Sequence, residues 1–399
     1  MTELKKYLKY YAISSVYSLF RLIPVKKNRV FFQSYEGRRY ADNPKVISEQ
    51  LMSLNQDIEV CWLCNSDLDC DVPKEIKKVS RHNLFQTLYA YATSRVLVAN
   101  SCLPLAFKKK SSQIVIDTWH GGLGIKKIGK DRKSATKFGR KRGRHGFDIT
   151  DVLISNSNHL SKIYREDFRY KGPIWKCGYP KNDVFFCNKT DTRNKIREQF
   201  GLEKDCNILI YAPTFRSRAS KKGEIDMSPY DIDYSMLCST LQKTYGGKWM
   251  IFLKYHPLLQ NSIKKSKDLP SYIIDVTSYN DIQELIMASD ALISDYSSCI
   301  FDAAFAGLKC FIYANDFDKY KKENGVYYEL SELPFSYATD NKELNEIVMK
   351  YDSTIFAKKW KDFTSRVGLV ETGYAGRDIA KKIVECTRFD DVIWENTDI

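Results

Sequence analysis

Two histidines stand where apolar runs end. His120 closes "QIVIDTWH" (113–120) and is followed by Gly121 and Gly122; His256 closes "KWMIFLKYH" (248–256), two residues after Lys254. Imidazole titrates near neutral pH, so at a strand end it suits a general base or a phosphate contact. Neighbouring glycines let backbone approach a ligand closely. The other three histidines, His82, His145 and His159, sit in contexts that read as surface or helix. In "SDYSSCIFDAAFAG" (294–307), Asp295 follows a strand, and Ser297 and Ser298 stand where a helix begins. Hydroxyls and free N–H groups there form an anion site, though plain N-capping also explains one serine. "YAPTFRSR" (211–218) sets Thr214, Arg216 and Arg218 after another strand. An arginine there either grips phosphate oxygens in pairs or is a solvated loop residue. From Lys126 to Arg144 run ten Lys or Arg against one Asp, either a solvated face or a guide for an anionic acceptor.

These residues need a scaffold that brings strand ends together. Nine short apolar, β-branched runs are expected as strands: 29–34, 58–64, 95–100, 113–120, 151–157, 207–214, 248–256, 291–297 and 309–315. Helical patterns lie between them at 44–54, 82–93, 158–169, 234–245, 280–289 and 298–306. Such alternation predicts α/β units with parallel sheets, whose strand C-termini face the ligand crevice. "TSRVLVANS", "ITDVLISNS" and "ASDALISDYS" echo one another as polar start, apolar strand and polar end, which suggests two similar halves. The turn-rich "GYPKND" (178–183) and a charged helix after it place a boundary near 185–205.

The chain has 399 residues, 43% hydrophobic and 28% charged, with a formal charge of +14. That composition buries a core and argues against disorder. Its basic excess favours acidic partners, among them nucleic acid, anionic lipid and phosphate-rich substrates. The 11 scattered cysteines and the lack of a signal-peptide pattern are expected of reduced thiols in a cytosolic protein. Cys61 and Cys64 have CxxC spacing, but no matching second pair is evident, so they read as core of a buried strand. No run reaches the roughly 18 apolar residues of a membrane span. "LKKYLKYYAISSVYSLFRLIPVKK" (4–27) is either a helix in a membrane interface or one packed on the protein body. GxGxxG, Walker A, HExxH and GxSxG patterns are absent, which removes support for their chemistries.

In order along the chain, "TWHG", "GYPKND", "YAPTFR", "KYHP", "SDYSSCIFD" and "TGYAGRDIA" resemble the CDP-glycerol glycerophosphotransferase family of teichoic acid and capsule synthesis. "FFQSYEGRRYADNPK" is similar to that family's N-terminal pattern F-x-S-x-x-G-x-x-Y-x-D-N-P. The resemblance extends from about 29 to 380. Two positions depart from it: Lys181 stands where arginine is usual, and Thr372 where the tail pattern has an acidic residue.

This resemblance implies a GT-B-like α/β architecture, two Rossmann-like domains facing across a cleft, with an N-terminal amphipathic helix. The expected division is 1–28 for a membrane-interface helix, 29–188 for the acceptor domain, 189–354 for the CDP-donor domain, and 355–399 for helices packing back on the first domain. The implied reaction moves glycerol phosphate or ribitol phosphate from a CDP-activated donor to a hydroxyl of a polyprenyl-diphosphate-linked acceptor, releasing CMP. The setting is the cytoplasmic face of the membrane, peripheral to an anionic surface, with no essential metal or other cofactor and no nucleic acid. His120 is expected as general base and His256 at the donor diphosphate. Thr214, Arg216, Lys254, Ser297 and Ser298 are expected to cradle phosphates, and Asp295 and Asp302 to orient a loop or bind polyol or ribose. Lys126, Lys127 and Lys130 are expected to meet the acceptor, while Asp183 and Arg377 belong to the motifs without an assigned role. Two competitors remain at this level: a GT-B glycosyltransferase using a nucleotide sugar, and a basic nucleic-acid-binding protein.

Overall fold

All nine apolar runs expected as strands lie in parallel sheets. The computed structural model describes residues 3–54, 57–65, 72–128, 136–216, 226–255, 269–394 and 396–397. The first sheet holds β1 (Lys26–Gln33), β2 (Glu59–Cys64), β3 (Lys77–Ser80), β4 (Ser94–Ala99), β5 (Ile114–Asp117), β6 (Val152–Ser155) and β7 (Ile174–Lys176), in the order β3-β2-β1-β4-β5-β6-β7. The second holds β8 (Asn207–Ala212), β9 (Trp249–Leu253), β10 (Ile273–Asp275), β11 (Ala291–Ser294), β12 (Lys309–Tyr313) and β13 (Ser336–Ala338), in the order β10-β9-β8-β11-β12-β13. Every pairing within the sheets is parallel.

Four strands had no signal in the sequence, β3, β7, β10 and β13, and each is a sheet edge. Edge strands here are three or four residues long and partly exposed. They therefore lack the continuous apolar run of strands buried on both faces, such as Val30–Phe32 or Ile208–Ile210.

The strand order reverses between β1 and β4 in one sheet and between β8 and β11 in the other. In doubly wound sheets, such a reversal opens the crevice that binds ligand beyond the strand C-termini. The chain forms two compact units, one of residues 1–122, 128–186 and 368–399, the other of 123–127 and 187–367. The division corrects the expected boundaries in two places. The helix Ser353–Val367 stays with the second unit, where Phe363 packs on Phe301 and Tyr328; only the chain from 368 returns to the first. There Ile379, Ala380, Ile383 and Cys386 of the helix Ala375–Arg388 fill the core beside Val30, Ile47 and Val96. Residues 123–127 join the second unit through backbone bonds from Tyr327 to Ile125 (2.7 Å) and from Lys127 to Gly325 (3.0 Å).

The N-terminal helix Glu3–Phe20 packs on the first unit through Ile13, Val16, Tyr17 and Phe20. Leu4, Leu8, Tyr11 and Leu19 stand exposed on other faces. It is apolar on more than one side rather than simply amphipathic. No helix among the described residues is long and apolar enough to cross a membrane. Cys61 and Cys64 are buried in β2, burial pushes the Cys61 thiol up to about 11, and no metal-ligand cluster forms among the described residues.

Candidate active site

In the first unit the site grows from the reversal point. Asn100 follows β4; its side-chain oxygen accepts the Tyr35 N–H at 2.8 Å, and its amide donates to Ser34 Oγ at 3.2 Å. Both Ser34 and Tyr35 lie just after β1, so Asn100 ties the two central strand ends together. The Asn100 carbonyl lies 2.7 Å from His120 Nδ1. A carbonyl only accepts, so Nδ1 carries a proton, and in the neutral ring Nε2 is then the basic nitrogen. The ring sits half-buried against Trp119 (centroids 4.5 Å) and Tyr35 (5.8 Å).

The turn that carries His120 is strained at an unexpected residue. Trp119 has φ +52°, a left-handed conformation uncommon for a bulky side chain, while neither Gly121 nor Gly122 has positive φ. Asp117 holds the turn by accepting the Trp119 N–H at 2.8 Å. Asp117 is buried at the end of β5, and desolvation pushes its carboxyl up to about 7. Gly122 is needed for space: a Cβ there would lie 2.8 Å from the Asn156 side-chain nitrogen. The expectation that this glycine admits a ligand is thus corrected to one of close packing between loops.

The motif residues behind this turn are cross-linked to it. Glu371 accepts the side-chain amides of Asn156 and Asn182 at 2.8 Å each, and the Tyr179 N–H at 2.9 Å. The carboxylate sought at Thr372 is supplied one residue earlier. Asp183 accepts the N–H groups of Ala375 and Gly376, and desolvation pushes it up to about 6. Arg377 lies exposed on the helix that Asp183 caps.

The second unit repeats the arrangement at its own reversal point. Thr214, after β8, donates its N–H to Asp295, after β11, at 2.8 Å. Arg216 forms a paired bond to Asp316 (2.9 Å twice) and another to Asp295 (2.8 Å), and stacks over Tyr296 (4.8 Å) and Tyr320 (5.0 Å). The two carboxylates hold its guanidinium well above its ordinary pKa, against the desolvation that opposes them. Arg216 is therefore turned inward and organises the loop through Asp295 and Asp316. Lys254 is buried, and its Nζ donates to the carbonyls of Val276, Thr277 and Tyr279. Asp302 is also buried and accepts Gln283 Nε2 at 3.0 Å. Ser297 and Ser298 are half-exposed at the start of the helix Cys299–Phe305, and Ser298 makes no side-chain capping bond. The Thr214 hydroxyl is buried with no partner among the described residues.

His256 and Lys130 lie outside the described residues. Lys126 and Lys127 fall in the second unit, Lys126 exposed and bridged to Val326, not in the unit that carries His120. The described part of the tract from Lys137 to Arg144 lies in the helix Lys137–Asp148, whose Arg142 pairs with Glu36 at 2.7 Å. Sequence reasoning overlooked Asn100, Asp117, Asp316 and Glu371, and gave no role to Asn43, which it met only as the Asn of the D-N-P in the N-terminal family pattern. Asn100 and Asp117 each stand at the end of an apolar run, which is a usable signal; Asp316 and Glu371 have none without the fold.

Two parallel α/β units, with polar groups gathered at the reversal point of each sheet, give the chain a GT-B-like α/β fold. The chain belongs to the CDP-glycerol:poly(glycerophosphate) glycerophosphotransferase family, whose profile matches residues 15–385. It is similar to the teichoic acid poly(glycerol phosphate) polymerase of Bacillus spizizenii, 28% identical over 93% of this chain and 95% of that protein. A polymerase of the same description from Staphylococcus epidermidis is 30% identical over 90% of this chain; the match spans only 51% of that longer protein. The solved structure of the wall teichoic acid polymerase TagF superposes with a TM-score of 0.81 at 29% identity, covering 96% of this chain and 98% of that one.

Proposed function

We propose that this protein transfers glycerol phosphate or ribitol phosphate from a CDP-activated donor to a hydroxyl of a polyprenyl-diphosphate-linked acceptor, in teichoic acid or capsular polymer synthesis. The bond from His120 Nδ1–H to the Asn100 carbonyl carries the reading, because it sets the tautomer a general base requires. The acceptor oxygen bonds to the phosphorus that bears the polyol, and the bond from that phosphorus to the CMP oxygen breaks. The acceptor proton goes to His120 Nε2, and CMP leaves with the electron pair. His256 and the hydroxyls of Ser297, Ser298 and Thr214 are assigned to the donor phosphates. Asp295, fixed by Thr214 and Arg216, holds that loop in place. No essential metal ion enters this scheme.

We assign the acceptor side to a membrane face. Support comes from Leu4, Leu8, Tyr11 and Leu19, exposed on the N-terminal helix beside a basic helix. Tyr7 packs on Phe138 at 5.1 Å, and Lys141 lies over the rings of Tyr7 and Tyr10. Apolar and tyrosine side chains flanked by cations suit the interface of an anionic bilayer.

CMP release tests the reaction, with CDP-glycerol and CDP-ribitol offered separately alongside a polyprenyl-diphosphate-linked acceptor and EDTA. Acceptor-dependent CMP from one donor, abolished in His120→Ala, is the expected result and names the polyol. Silence with both donors but turnover of a nucleotide sugar would overturn the proposal.

A further inference from the structure

Among the described residues, five other than glycine have left-handed backbone, and three of them, Tyr35, Asp42 and Trp119, are joined by contacts around His120, with Glu36 next to Tyr35 in the chain. Strain of this kind is costly and persists only where surrounding structure enforces it. The enforcing bonds converge on Asn43. Its side-chain amide donates to the carbonyls of Thr118 (3.3 Å) and Trp119 (3.2 Å), the two residues before His120. Its side-chain oxygen accepts the Lys181 N–H at 3.0 Å. Asn43 is fully buried, and its own N–H donates to Asp42 at 2.7 Å; the other Asp42 oxygen accepts the Tyr35 hydroxyl at 2.5 Å. The Tyr35 ring then returns to the His120 imidazole.

We propose that Asn43 is a positioning residue for His120, clamping the two peptides before it so that the imidazole keeps its bond to the Asn100 carbonyl. The inference rests on the reading of His120 as the base. The clamp needs a side chain that donates and accepts at once. Aspartate has the same shape but would face two carbonyl oxygens with an anion, and alanine makes neither bond. Histidine would have the size but the wrong geometry. Misplacing a base by about 1 Å costs on the order of 100-fold in rate.

The test is CMP release by the full chain over a range of pH, with thermal unfolding alongside, for His120→Ala, Asn43→Ala, Asn43→Asp and Tyr35→Phe. Both Asn43 variants are expected to lose about 100-fold in kcat with donor KM changed less than about twofold. The acid limb of their pH profile moves down, because losing the Asn100 carbonyl removes a bond that favours imidazolium. Tyr35→Phe, which deletes one remote link, shows the same shift with a smaller loss and covers the case in which an Asn43 variant does not fold. A loss of kcat that tracks unfolding, with the acid limb unmoved in every variant, overturns the inference. So do wild-type kcat values in both Asn43 variants when His120→Ala is inactive. An active His120→Ala overturns the base assignment itself, and the clamp with it.

Discussion

Asp183 accepts the backbone N–H groups of Ala375 and Gly376, at 3.2 and 2.7 Å, across more than 190 residues of sequence. It caps the helix Ala375–Arg388 from outside, since Tyr374 at the N-cap position offers no side-chain bond. A Cβ on Gly376 would lie 3.2 Å from the Asp183 carboxylate and 2.8 Å from Val46, so the glycine makes room for the cap. Asp183→Ala is expected to lower unfolding free energy by about 1–2 kcal/mol, and Asp183→Asn by less. Urea unfolding of the two variants checks this.

Asp117 and Asp183 are expected to contribute stability that is lost as pH rises through the weakly acidic range. Burial holds the folded-state carboxyls of Asp117 and Asp183 above their unfolded value, to about 7 and about 6. Below about pH 4 both groups are protonated folded and unfolded. Between about pH 4 and 7 the unfolded chain releases protons that the folded chain keeps, which favours unfolding. For Asp117 a shift from 3.8 to about 7 corresponds to a loss on the order of 4 kcal/mol across that window. Unfolding free energies at pH 5 and 8 are expected to differ less in Asp117→Asn than in the parent.

Arg216 joins two carboxylates that burial would otherwise leave uncompensated. Arg216→Ala is expected to cost about 3–5 kcal/mol, since a buried ion pair broken from one side leaves unpaired charge. Arg216→Lys keeps the charge but not the fork that bonds Asp316 twice, and is expected to recover only part of the loss. Guanidinium unfolding curves separate the two. Recovery of full stability by lysine would show that charge alone matters.

Glu371 and its neighbour Thr372 make a matched pair of tests. Glu371 accepts three N–H groups from two loops. Its replacement by Ala is expected to cost about 2–3 kcal/mol, as expected for bonds to a charged acceptor. Thr372 is exposed and makes only a long bond to the Cys177 carbonyl and a local one to Tyr374. Thr372→Ala is expected to cost under about 1 kcal/mol. Thermal unfolding of both ranks them directly.

The central strands were legible because a strand buried on both faces has a continuous apolar run, as in "ILIYA" of β8 and "ALIS" of β11. Edge strands such as β13, with "SYA" mostly exposed, carry no such mark. Strand-end chemistry was legible for the same reason: once the runs are located, His120, Thr214 and Asp295 follow as residues beyond their C-termini. The partners of those residues were not legible. Lys254 and Arg216 have the charge of phosphate ligands, and nothing in their local sequence says that three carbonyls or two carboxylates will bond to them.

By itself the sequence determined the parallel α/β class, the strands that build the two sheet centres, and the family pattern of strand-end motifs. Local apolar periodicity fixes backbone state and burial, and those are properties of neighbouring residues. Only the tertiary structure decided which polar groups face solvent and which hold the site together. Asn43, Asp117 and Glu371 act through bonds between loops that meet because sheet order, not sequence order, sets which strand ends are adjacent. A buried donor or acceptor takes the partner that this adjacency supplies, since leaving it unpaired costs more than any local preference gains.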